Sequence, residues 1–176
     1  MKAHDIHPKR FIAVFNGGRS PLRQIPMPAL AQACSQLMKE TGDAIVIVGS
    51  SADRRPADTL LRRIAELSEV DSALLNLCGR LSLLELAVLI SAARLFIGTD
   101  SSVSHLAAAA GVPRVVVFGP TDPRLCPPEG AQTIHHRHPC CPYLWTRCLV
   151  SRNRISVAGM EAISAQEIAN AAAVML

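Results

Sequence analysis

The stretch from Ala93 to Pro123 constrains this chain more than any other, because it alternates apolar runs with polar loops twice in succession. Arg94 to Ile97 is a brief apolar run, as expected of a strand covered on both faces of its sheet. Gly98 and Thr99 are expected to break it. Ser101 or Ser102 then caps a helix that begins near Val103 and runs through the alanines to Ala110. Gly111 suits the position just past that helix, Pro113 forbids its continuation, and Val115 to Phe118 forms the next strand. Gly119 to Pro123 closes the unit as a turn-rich loop. Parallel α/β sheets hold ligands at the carboxyl ends of their strands, and both polar loops, Gly98 to Ser102 and Gly119 to Asp122, fall on that edge. The first also presents a helix N-terminus, whose N–H groups and positive dipole end suit a phosphate.

The rest of the chain repeats this grammar. Phe11 to Phe15, Ala44 to Val48, Leu74 to Cys78 and Ala131 to Ile134 read as further strands. Pro28 to Lys39, Pro56 to Ser68 and Leu83 to Ala92 read as helices between them. Ser82 with Glu85, and Ser164 with Glu167, are capping boxes, the second opening a final helix to Leu176 whose apolar positions are Ile168, Ala171, Ala172 and Met175. The alternation predicts an α/β fold: a Rossmann-like, doubly wound, mostly parallel sheet. Residues 1–10 read as a leader or linker and residues 11–176 as one domain.

Composition narrows the function classes. With 49% hydrophobic and 18% charged residues the chain is globular rather than disordered. A net charge of +4 admits an anionic ligand, but no basic run is interleaved with aromatics, so nucleic acid is not an expected partner. The alanine-rich segments are too interrupted by Asp, Arg and His to span a bilayer, and the N-terminus lacks the apolar core of a signal peptide. A cytoplasmic setting follows, in which the six cysteines are thiols or metal ligands rather than disulfides.

Several loops carry candidate chemistry. After the first strand, Asn16-Gly17-Gly18 leads to Pro21 and Arg23, which reads either as a phosphate cradle of N–H groups with a guanidinium or as a plain strand-to-helix turn with solvated arginines. Asp53, just beyond the second strand, is placed to bind ribose hydroxyls or to cap the following helix. His105, in the first turn after Asp100, reads as a donor to a phosphate or sugar oxygen or as a bridge between loops. His135, His136, His138, Cys140, Cys141 and Cys148 crowd one segment, but adjacent Cys140-Cys141 cannot form a Cys-x-x-Cys knuckle. Reduced thiols in a surface loop, with no metal, are the expectation there.

The pattern Asp100-Ser101-x-Val103-Ser104-His105, followed by Gly111, Pro113 and Phe118-Gly119-Pro120-Thr121, resembles the nucleotide-sugar-binding half of family 9 glycosyltransferases, the bacterial heptosyltransferases of lipopolysaccharide core synthesis. Ser102 departs from the family's usual glycine, Arg23 from its usual lysine, Ile25 from its tryptophan before Pro26, and Asp53 from its glutamate. The resemblance runs from Phe11 to Leu176 and implies the C-terminal half of a two-domain GT-B enzyme. It implies that Gly17, Gly18, Ser101, Ser102 and His105 hold the donor and that Asp53 binds its ribose. Leu81 would pack on the adenine, Asp100 would bind the sugar, and Arg23 would act catalytically on the leaving phosphate. The implied donor is ADP-heptose and no cofactor is implied. The implied acceptor is the lipid A–core, held with the catalytic aspartate base by an N-terminal domain absent from this chain, with peripheral association at the inner membrane. A GT-B half for another nucleotide sugar, a non-catalytic nucleotide-binding module and a metal or redox protein are the alternatives.

Overall fold

The strand that the fold grows from is β1 (Phe11–Phe15), in which every residue is buried. Its side chains alternate between the two faces of the sheet, Ile12 and Val14 to one and Phe11, Ala13 and Phe15 to the other. In the computed structural model, which describes residues 7–18, 20, 23–68, 73–125, 128–136 and 158–176, β1 lies inside a six-stranded parallel sheet. The other strands are β2 (Ala44–Ile47), β3 (Leu74–Asn76), β4 (Leu95–Thr99), β5 (Arg114–Phe118) and β6 (Gln132–His135), and the order is β3-β2-β1-β4-β5-β6. The predicted doubly wound α/β sheet is therefore present, and every pairing in it is parallel.

Helices α1 (Met27–Thr41), α2 (Arg54–Leu67) and α6 (Ala165–Met175) contribute to the core on the Ile12 and Val14 face. The opposite face receives α3 (Leu83–Ser91) and α4 (Ser102–Ala109), both shorter. A short α5 (Ala158–Glu161) precedes α6. Both predicted capping boxes form: Ser82 with Glu85 starts α3 and Ser164 with Glu167 starts α6. The Ser82 hydroxyl holds the Glu85 carboxyl below its usual range, and the Ser164 N–H does the same for Glu167. Among the described residues no helix is long and apolar enough to cross a membrane.

Two expectations need correction. The third strand ends at Asn76 rather than Cys78, because the Asn76 side chain turns away to Asp58 and to the carbonyl of Arg54, and its Oδ1 accepts from Cys78 N. Gly98 and Thr99 do not break the fourth strand; they are its last two residues, and both are buried. Gly98 is needed there for space. A Cβ on it would stand 2.6 Å from Phe96 Cζ and 3.1 Å from the carbonyl oxygen of Phe15 on the neighbouring strand.

At the opposite, amino edge of the sheet the fully buried Asp43 meets Arg94 at 3.0 Å and Arg10 at 3.6 Å, joining the starts of β1, β2 and β4. Lys9 docks its Nζ on the carbonyls of Ser91 and Ala93 at the end of α3, where the helix dipole favours a cation.

Two predictions follow from this packing. Gly98→Ala should destabilise the fold by about 1–3 kcal/mol, the range for overpacking a filled interior, seen as a lower urea midpoint by circular dichroism. Burial pushes the Cys34 and Cys78 thiols from 9.0 up to about 12, with Asp53 and Asp58 adding to the effect at Cys78. The unfolded chain then releases these protons near pH 9 while the folded chain keeps them to about 12, so stability is lost as pH rises through that window. The urea midpoint should fall above pH 9, and less steeply in Cys34→Ala.

Candidate nucleotide-sugar site

The strand order reverses at β1, which pairs with β2 on one side and with β4 on the other. Consecutive strands lead away from this seam in both directions, leaving a crevice outside the carboxyl ends of β1 and β4. The loops after β1 and β4 meet there. Arg23 Nη1 donates to the main-chain carbonyl of Asp100 at 3.2 Å and stands 3.8 Å from its Oδ2. Thr121, from the loop after β5, donates its hydroxyl to the same Oδ2 at 2.7 Å. Three neighbouring loops are thereby tied around one carboxylate.

The helix that starts beside it is capped as expected. Ser101 is the N-cap of α4, accepting from Ser104 N, and Ser104 Oγ accepts from Ser101 N in return. Ser102 and Val103 are the first two residues of the helix, so their N–H groups have no acceptor within it. His105 sits half-buried in the same first turn.

On the other side of the seam the loops after β1, β2 and β3 are stacked by close contacts at glycine. Asp53 does not cap α2 with its side chain; its Oδ2 accepts from Ser50 N at 2.8 Å and Ser50 Oγ at 2.7 Å within a short 3-10 turn. A Cβ on Gly17 would fall 2.6 Å from Asp53 Cγ, so Gly17 provides the room into which this carboxylate packs. Gly18, with φ of 119°, lets the chain turn away. A Cβ on Gly79 would fall 2.6 Å from Ser51 Cα, which brings the β3 loop onto the β2 loop. Leu81, two residues on, is half-buried against the core under α3 and α4. Below Asp53 an open cleft of about 380 Å³, solvent included, is floored by Met27, Ile47, Ala57 and Leu60.

The structure thus joins Arg23 to Asp100 beside the start of α4, and Gly17 to Asp53. It places Leu81 on the adjoining loop. Sequence reasoning gave no role to Asn16 or to the Thr121 side chain. Asn16 clamps the β1 loop by accepting from Ile25 N at 2.7 Å and donating to Ile25 O at 2.9 Å, which fixes the stem from which Arg23 projects. The available signal was an asparagine directly after an apolar strand, a residue that bonds nearby backbone. Of the Cys/His segment, His138, Cys140, Cys141 and Cys148 lie outside the described residues. His136 Nε2 lies 2.7 Å from Glu167 Oε1 at the start of α6.

Comparison with known proteins bears on the family and the fold. Lipopolysaccharide heptosyltransferase 2 of Salmonella typhimurium is 32% identical over 108 residues, which take in 61% of this chain and 30% of that protein. The Escherichia coli ADP-heptose lipopolysaccharide heptosyltransferase II structure superposes with a TM-score of 0.75 at 22% identity, over 96% of this chain and 46% of that one. The E. coli heptosyltransferase WaaC solved with ADP gives 0.72 at 18% identity, over 99% of this chain and 47% of that one. At these identities the two structures show a shared fold, and the chain spans about half the length of each. Residues 30–149, more than half of the chain, match the family described as glycosyltransferase family 9 (heptosyltransferase), and the chain belongs to that family.

Proposed function

We propose that this chain is the donor-binding unit of a heptosyltransferase, holding a nucleotide diphosphate sugar across the seam between β1 and β4. The observation that carries the reading is the Arg23–Asp100–Thr121 cluster beside the N-terminus of α4, in a chain of this family. The N–H groups of Ser102 and Val103 and the Arg23 guanidinium suit the pyrophosphate, where they oppose the negative charge that develops on the leaving nucleotide. Asp100, an acceptor that phosphate would repel, suits the hydroxyls of the donor sugar. Asp53 suits the ribose through the oxygen that Ser50 does not occupy, Leu81 lies where a base stacks, and Gly17, Gly18, Ser101 and His105 complete the binding loops.

ADP-heptose is the donor we propose, since the relatives named above are heptosyltransferases and one solved structure among them holds ADP. The lipid A–core acceptor and the general base belong in this reading to a part of the enzyme outside this chain, so the chain binds donor and transfers nothing alone. Two buried free thiols, Cys34 and Cys78, suit the reducing cytoplasm, with the whole enzyme peripheral to the inner membrane.

Calorimetric titration with ADP, ADP-heptose, UDP and UDP-glucose tests this. Adenine-selective binding is expected, weakened about tenfold or more for both adenine ligands by Arg23→Ala, the loss of one charge-assisted contact, and chiefly for ADP-heptose by Asp100→Ala. A preference for UDP would retain the fold and overturn the donor. Gly17→Ala should lower thermal stability by displacing the Asp53 carboxylate, and a double-mutant cycle with Asp53→Gly should show a coupling above about 0.5 kcal/mol; additive effects would refute the packing role of Gly17.

A further inference from the structure

The Asp100 carboxylate lies between two groups that can claim the same oxygen. Thr121 Oγ1 reaches Oδ2 at 2.7 Å, a charge-assisted hydrogen bond, whereas Arg23 Nη1 at 3.8 Å is beyond hydrogen-bonding distance of it. Arg23 is engaged with the Asp100 main-chain carbonyl instead, at 3.2 Å. Arg23 and Asp100, whose side chains are each only 15% exposed, thus form an ion pair without a hydrogen bond to the carboxylate. The neutral hydroxyl, not the cation, makes the close contact to that oxygen.

Thr121 is well suited to that task. Its β-branch limits χ1, and Pro120 and Pro123 restrict the backbone on either side. Its strand, β5, pairs directly with β4, whose end carries Asp100, and Asp100 N donates to Val117 O across that pairing. The hydroxyl is therefore delivered from a rigid neighbour.

We propose that Thr121 is a positioning residue for sugar recognition: its hydroxyl holds the Asp100 carboxylate off Arg23, so that Oδ1 remains the acceptor for the donor's sugar hydroxyls. This rests on the reading of Asp100 as the sugar-binding carboxylate. Without the hydroxyl the carboxylate swings onto the guanidinium, and the nucleotide sugar loses its acceptor in addition to whatever the engaged Arg23 withholds from the phosphates of both ligands.

The test compares the affinities of ADP and ADP-heptose for the full chain and its variants. Thr121→Val should reduce the advantage of ADP-heptose over ADP by about tenfold, the effect of one hydrogen bond to a charged group, over and above any weakening that both ligands share through Arg23. Thr121→Ser should restore the advantage. Equal weakening of both ligands by Thr121→Val would mean a merely structural role and would overturn the proposal. An advantage kept in Thr121→Val but abolished in Asp100→Ala would overturn it while leaving the reading of Asp100 intact. An advantage kept in Asp100→Ala would overturn both. A crystal structure of unliganded Thr121→Val gives a readout that needs no ligand: the Asp100 carboxylate should lie within hydrogen-bonding distance of Arg23, and an unmoved carboxylate would refute the mechanism.

Discussion

Everything at the carboxyl edge of this molecule depends on the pairing of β1 with β4. The two strands are far apart in sequence, yet Val14 lies opposite Ile97 and Phe15 opposite Gly98. The register brings the end of β1 level with the last residues of β4, so the loops that begin at Asn16 and Asp100 leave the sheet on neighbouring strands. Gly98 makes the fit possible, since its missing side chain leaves room for the Phe96 ring and the Phe15 carbonyl. The same absence of a side chain that permits dense packing in the sheet also fixes where the site can be.

Above the sheet, the loops are held by short contacts rather than by length. Asn16 closes the β1 loop on Ile25, Ser50 holds Asp53, Asp53 packs against Gly17, and Thr121 holds Asp100. Each contact links residues from different loops or pins one loop to its own stem. A ligand spread over these loops meets groups already fixed in place, which lowers the entropic cost of binding an extended molecule. The departures from the family pattern fit this economy. Aspartate at position 53, shorter than glutamate, fits the space over Gly17, and arginine at 23 offers a planar fork where lysine offers a point charge.

The architecture was legible in the sequence because its signals are local. Apolar runs, capping boxes at Ser82 and Ser164 and the glycine after α4 each announce an element from a few adjacent residues. The candidate loops were legible for the same reason, since each follows a strand. The pairwise contacts were not. Gly98 looked like a strand breaker because the reason for it, the Phe15 carbonyl, lies on another strand. Of the two readings of Asp53, the helix cap did not hold, because its side-chain partner, Ser50, belongs to a turn that no period reveals. Thr121 had no visible role until the β4–β5 register set it against Asp100.

Charge explains why the two sides of the seam differ in kind. On the β4 side a cation, a carboxylate and a helix N-terminus lie together, with Arg23 3.2 Å from the Asp100 main-chain carbonyl and 3.8 Å from its carboxylate. On the β2 side a single carboxylate is satisfied by Ser50 and rests over an apolar floor. A nucleotide diphosphate sugar has the matching asymmetry: charge at its centre, hydroxyls on both flanks and an apolar ring at one end. In the proposed reading, a bound phosphate would compete with Asp100 for the Arg23 guanidinium, so the net gain would be smaller than the contact itself. In that reading selectivity would rest on the groups that stay in place, the carboxylate on each flank and the neighbour that orients it.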